Sequence, residues 1–183
     1  MKLRKPRINP IQENEWTPEQ QKLMHPLGQA GKINVFKTFV RHPRLFERWG
    51  PFSMYILGES KLSFRDRELV ILRIGWLCQA EYEWSQHKVV GKQAGLSDQE
   101  ILRITKGPNA DGWSSFDATL LRAVDELHKD AFISDSTWAA LAKHYTEQQL
   151  MDLVFTVGQY NLVSMALNSF GVQLDAGYTG FPK

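Results

Sequence analysis

A serine or threonine followed three residues later by an acid or a glutamine marks five helix starts along this 183-residue chain: Thr17-Pro18-Glu19-Gln20, Ser63-Phe64-Arg65-Asp66, Ser97-Asp98-Gln99-Glu100, Ser114-Ser115-Phe116-Asp117 and Thr146-Glu147-Gln148-Gln149. Each reads as a helix start, because the hydroxyl accepts from a first-turn N–H that the helix itself leaves unpaired. Pro18, at the first helical position, strengthens the first of them, and that helix is predicted to run to about Leu27. Stops fall at Gly28, Gly58, Gly95, Gly107-Pro108 and Gly171. Pro43 opens a further helix through Trp49 and Tyr55 despite Pro51. No segment alternates apolar and polar residues for long enough to make a strand. The expectation is an all-α fold of about eight helices with short loops and one longer turn over 106–113, where Gly, Pro, Asn and Asp cluster.

The length fits one domain over 1–183, with an N-terminal arm (1–16) and a C-terminal tail (175–183). With 43% apolar residues the chain buries a core and is not disordered, and a net charge of +2 argues against nucleic acid as a partner. Its one cysteine, Cys78, cannot form an internal disulfide, so a reducing, cytoplasmic setting is expected. The basic start, Met1 to Arg7, meets Ile8-Asn9-Pro10 without an apolar stretch, so no signal peptide is expected. Residues 153–174 carry no charge, yet Thr156, Gln159, Asn161, Ser164, Asn168, Ser169 and Gln173 would each need a partner in hydrocarbon. A buried helix is therefore expected there, and no membrane partner. Together with six tryptophans, that helix is more apolar material than one small globule readily hides, which predicts a homo-oligomer. The glycine- and aromatic-rich tail is expected either to lie as an extended arm on a neighbour or to fray.

The chemistry concentrates between Arg65 and Ala94. On a helix beginning after Ala80, His87 lies about 40° from Glu83, with Val90 and Ala94 about 20° to either side. Glu81, Ser85, Lys88 and Lys92 take the opposite, solvated face, so Glu83 and His87 point inward. On the preceding helix Glu68 shares a mostly apolar stripe with Arg65, Ile71, Leu72 and Gly75, the glycine permitting close approach. An antiparallel hairpin brings Glu68 to the Glu83–His87 stripe. Two carboxylates and an imidazole in a partly apolar pocket can divide acid and base roles, while the same trio can equally be a buried ion-pair network. Too few ligands are present for the usual zinc or oxygenase iron sites, so neither metal nor cofactor is expected. Tyr82 and Trp84 flank the trio as core aromatics or a substrate platform, and Arg41, Arg44 or Arg73 is available to hold an anion. The other histidines, His25, His42, His128 and His144, read as capping or surface groups.

The run Arg67-Glu68-Leu69, followed by Ala80-Glu81-Tyr82-Glu83-Trp84-Ser85-Gln86-His87, resembles the core motif of the carboxymuconolactone decarboxylase and alkylhydroperoxidase D-like superfamily. Asn34-Val35-Phe36, Arg41-His42-Pro43, Gly91 to Ser97 and Phe155 to Tyr160 extend the resemblance over most of the chain. In redox members the motif reads as a glutamate, a Cys-x-x-Cys, and a histidine four residues after the second cysteine. The resemblance puts Glu68 and His87 on the family's glutamate and histidine, and Ala80 and Glu83 where the thiols stand. It implies trimers or hexamers.

Without a second thiol the dithiol peroxidase chemistry of redox members does not follow. The decarboxylase branch needs no thiol: one positioned acid or base reprotonates the carbon that loses carbon dioxide. The expected function is acid–base chemistry on a small carboxylic acid or lactone, with His87 as proton donor, Glu83 its orienter or the base, and Glu68 tuning both. A peroxidase-related protein using Cys78 and a noncatalytic oligomeric binding protein are the alternatives.

Overall fold

The computed structural model describes residues 1–182, and among these every regular element is helical. In chain order the helices are α1 (Pro18–Met24), α2 (Asn34–Phe39), α3 (Pro43–Gly58), α4 (Phe64–Leu77), α5 (Glu81–Gln93), α6 (Asp98–Ile104), α7 (Ser115–Asp130), α8 (Asp135–Leu141) and α9 (Glu147–Phe170). Thr17, Ser63, Ser97, Ser114 and Thr146 each accept from the N–H three residues on, so all five starts are present. The first helix leaves α geometry at Met24 and finishes as a 3₁₀ turn, His25–Leu27, because Pro26 has no N–H to continue the ladder. His42 caps α3 by accepting from Leu45 N at 3.3 Å, and Pro51 is carried inside that helix. Two helices lie outside the expected set: α2 has no side-chain cap, and α8 is capped by Ser134 but has a threonine three residues on.

Helix α4 is the axis of the molecule. Its residues from Glu68 to Gly75 are all buried, and α5, α6, α7 and α9 pack around it. Leu69, Val70, Ile71, Leu72 and Ile74 meet Leu120, Leu121 and Val124 of α7 and Leu153, Val157 and Tyr160 of α9 in one core. Arg73, buried with them, holds Asp125 at 2.6 and 2.8 Å and donates to Ile104 O at 2.7 Å, fastening α4 to α7 and α6. Arg65 does the same nearer the start, reaching Asp117 at 2.8 Å and Glu100 at 2.6 Å.

Cys78, Gln79 and Ala80 reverse the chain, with Gln79 at φ 53° and Ala80 N–H closing on Gly75 O at 2.9 Å, so α5 returns antiparallel along α4. The close approach is made at Gly91, where an added Cβ would sit 3.1 Å from Leu72 Cδ1 and 3.2 Å from Leu96 Cδ1. At Gly75 it would meet Glu83 Cγ at 3.5 Å, an ordinary contact, so Gly75 is not the residue that sets the spacing.

The outer face of α5 departs from the helical-wheel reading. Ser85 is fully buried and donates to Tyr82 O at 2.6 Å, and Glu81 and Lys88 are only half-exposed. The cause is the tail, which straps across this face of its own chain. Asp175 accepts from Tyr82 Oη at 2.6 Å and Gln86 at 2.8 Å, Thr179 O accepts from Lys88 at 3.0 Å, and Phe181 wedges against Trp76 and Trp84. Through Pro182 the tail thus lies along its own chain; Lys183 lies outside the described residues.

Helix α9 is apolar on both sides. One face enters the core, while Met151, Val154, Phe155, Leu162 and Met165 stay exposed. By length and composition it could cross a membrane, with 56% of its most apolar window buried inside the fold. Asn161 accepts from the Cys78 thiol and Asn168 donates to Cys78 O, but Thr156 Oγ1 is buried without a hydrogen-bond partner among the described residues.

Candidate active site

The imidazole of His87 stands between two carboxylates. Nδ1 lies 2.6 Å from Glu68 Oε2 and Nε2 lies 2.9 Å from Glu83 Oε1. The α4–α5 hairpin supplies the first contact across helices, and one helical turn of α5 supplies the second. All three groups are buried: Glu68 completely, Glu83 at 5% exposure and His87 at 9%. Burial alone lowers the imidazole pKa, but attraction and hydrogen bonding to Glu68 and Glu83 outweigh it and hold His87 up at about 10. At neutral pH the ring is therefore an imidazolium that donates from both nitrogens. Glu83 lies in the first turn of α5, where the helix dipole favours a negative charge.

Two residues complete the surroundings. Tyr160 of α9 presents its ring edge-on to His87, with centroids 5.0 Å apart, and burial followed by the charges of Glu83 and Glu68 keeps its phenol protonated. Arg67 donates from Nε to Glu68 Oε1 at 3.3 Å and lays its guanidinium over the Phe64 ring at 4.9 Å. The structure gives it no other hydrogen bond among the described residues, which leaves both terminal nitrogens open. Neither residue is read as part of the site from sequence. Arg67 sits beside Glu68 in the chain, about 100° round the helix, so its reach back to Glu68 is invisible on a wheel. Tyr160 is on a helix that only tertiary packing brings alongside.

The trio Glu68, Glu83 and His87 is brought together, whereas the residues considered for substrate contact are engaged elsewhere. Tyr82 Oη bridges Asp175 and the N–H of Val35, and Trp84 is packed in the core against Trp76 and Phe181. Arg41 donates to Asn9 O at the exposed N-terminal arm, Arg44 is exposed at the start of α3, and Arg73 is fully used by Asp125 and Ile104. Cys78, at the C-terminal end of α4, donates to Asn161 Oδ1 at 3.0 Å with His128 Nδ1 3.8 Å away, and burial pushes its thiol up. A protonated thiol is a poor nucleophile. Ala80, at the first of the two thiol positions, is fully buried.

Residues 43–126 match the Carboxymuconolactone decarboxylase family, a segment that includes Glu68, Glu83 and His87. No curated protein matches the chain in sequence. Among solved structures, an uncharacterized peroxidase-related protein of Ralstonia eutropha JMP134 with the alkylhydroperoxidase AhpD core superposes with a TM-score of 0.80 at 14% identity, covering 93% of both chains. An uncharacterized peroxidase-related protein from Silicibacter sp. TM1040 gives 0.79 at 15% identity over 96% of both chains. The debrominase Bmp8, solved with 2,3,4-tribromopyrrole, gives 0.77 at 13% identity over 92% of this chain and 91% of its own. At these identities the three establish a shared fold.

Proposed function

This chain belongs to the carboxymuconolactone decarboxylase and alkylhydroperoxidase D-like superfamily, and from its bracketed imidazole we propose that it is a thiol-independent acid–base enzyme of the carboxy-lyase type, acting on a small carboxylic acid or lactone. The observation that carries this reading is the placement of His87 between Glu68 and Glu83, which keeps a transferable proton on a buried ring at neutral pH.

In this reading the substrate carboxylate leaves as carbon dioxide, and the electron pair of the broken C–C bond moves into a conjugated carbonyl. His87 then delivers a proton to the resulting carbanion-like carbon, and water restores it. The sum is one carboxylate plus one proton giving carbon dioxide and a C–H bond. Glu68 is sealed from solvent and bears on the reaction through His87, fixing the ring and holding its charge. Glu83 is the less enclosed carboxylate, so the substrate is assigned to its side of the ring. Arg67 steadies Glu68 from the far side of the ring. A peroxidase reading through Cys78 lacks both a resolving thiol and a thiolate.

The test is a thermal-shift screen of small carboxylic acids and lactones, followed by turnover of the stabilising compounds. His87→Gln is expected to lower turnover by roughly 10²-fold or more, the usual scale for losing a positioned acid. Turnover per folded molecule equal to that of the wild type would remove His87 from the chemistry.

A further inference from the structure

The exposed apolar residues of α9 form a pattern with its own symmetry. Taking Gly158 as origin, Val154 and Leu162 lie four residues before and after it, and Met151 and Met165 lie seven before and after. At 100° per residue all four fall within about 40° of the Gly158 direction, with Phe155 at about 60°, so they make one stripe along roughly 20 Å of helix. Met151 is 59% exposed, Phe155 53%, Leu162 50% and Met165 55%. At the centre, nothing lies within 4 Å of where a Gly158 Cβ would stand, and Phe52, Val154, Phe155, Gly158, Gln159 and Leu162 line a groove of about 340 Å³. The stripe carries no charge: residues 153–174 have none, and Asp152 is turned inward to Tyr55 and the N–H of Lys61.

We propose that this face is a self-complementary interface, in which α9 packs antiparallel on α9 of a second copy about a two-fold axis at Gly158. A two-fold contact requires the same patch to face itself, and the paired positions Val154 with Leu162 and Met151 with Met165, apolar at equal distances on either side of Gly158, satisfy this, with Phe155 unpaired at the margin. The axis sets Val154 against Leu162 of the second copy and Met151 against its Met165, while the bare Gly158 positions let the helices approach and admit side chains from the other copy into the groove. With Phe52, which meets Phe155 edge-on, the stripe offers on the order of 600 Å² of apolar surface per copy, at the top of what monomers leave open and near the roughly 800 Å² per partner of a standard interface. A second copy fits better than a bilayer, because the rest of the same helix is committed to the core through Leu153, Val157, Tyr160 and Leu167. An isologous contact builds even-numbered assemblies, a dimer or the paired trimers of a hexamer, and not an isolated trimer.

The test is light scattering after gel filtration at micromolar concentration, with circular dichroism to establish that each variant is folded. The wild type is expected to have an even-numbered mass. Val154→Glu and Leu162→Lys, both at exposed positions, should each halve the assembly, to monomer from a dimer or to trimer from a hexamer. The double variant should recover the wild-type mass, because the antiparallel register places the new glutamate against the new lysine. A parallel register would set like charges together, so failure of the double variant to recover overturns the proposed geometry. A wild-type monomer, an odd-numbered mass, folded single variants that keep the wild-type mass, or flotation with phosphatidylcholine vesicles that Val154→Glu abolishes would overturn the interface itself. None of these readouts depends on turnover, so their outcome is separate from that of the acid–base reading.

Discussion

Replacing His87 with glutamine should change not only the stability of the fold but its dependence on pH. The folded imidazole is held up at about 10 by Glu68 and Glu83, whereas in the unfolded chain it titrates near the ordinary value of 6.5. A group whose folded pKa is raised contributes its full stabilisation below the unfolded value and loses it as pH rises through the folded one. Between the two values the folded chain binds one proton more than the unfolded chain, so stability falls with pH at up to about 1.4 kcal/mol per unit. From pH 7.5 to 9.5 the wild type should therefore lose about 2.5 kcal/mol that His87→Gln does not lose. Staying below pH 9.5 avoids the buried tyrosines, Tyr82, Tyr145 and Tyr160, whose phenols stay protonated beyond their usual range. The variant should also be weaker at neutral pH, by roughly 3 kcal/mol, since glutamine leaves two buried carboxylates without their shared cation. Urea unfolding of both proteins across this window supplies the comparison. Parallel stability curves would mean that the folded imidazole is neutral, and the reasoning from geometry to charge would fail.

Two further substitutions test the packing and the thiol. Gly91→Ala should cost about 1–2 kcal/mol, because its Cβ presses on Leu72 and Leu96 at 3.1 and 3.2 Å, whereas Gly75→Ala, with 3.5 Å of room, should be neutral or stabilising by up to about 1 kcal/mol from helix propensity; melting temperatures of the two variants decide this, and the reverse order would refute it. Cys78→Ala should leave turnover nearly intact, and alkylation of Cys78 at pH 7 should be slow, since burial keeps the thiol protonated; rapid alkylation, or loss of turnover in Cys78→Ala, would count for a redox role.

What the chain disclosed in advance was local. The five capped starts depend on residues three positions apart, and the approach of Glu83 to His87 depends on one helical turn, so both are legible without the fold. The arrival of Glu68 needed one further step, the reversal at Gln79. Helix α8 escaped because Ser134 is followed at the third position by Thr137, which does not complete the usual pattern. The faces of α4 and α5 misled for a nonlocal reason. Helix α4 is buried on all sides between Glu68 and Gly75, so no stripe singles out its inward face, and the tail from Asp175 to Phe181 covers the side of α5 that its polar residues assign to water. Arg67 and Tyr160 were missed on the same grounds, one reaching round its own helix and the other arriving from α9.

The proton-carrying state of His87 is the point on which the acid–base reading turns, and nitrogen-15 NMR of the imidazole rings observes it directly. Of the five histidines, His87 should keep both ring nitrogens protonated at pH 8.5, where ordinary imidazoles are neutral, and should release its proton only near pH 10. The resonances are assigned by their absence from His87→Gln. A single protonated nitrogen on His87 at pH 8.5, with titration near 6.5, would show that Glu68 and Glu83 do not hold a charged ring between them.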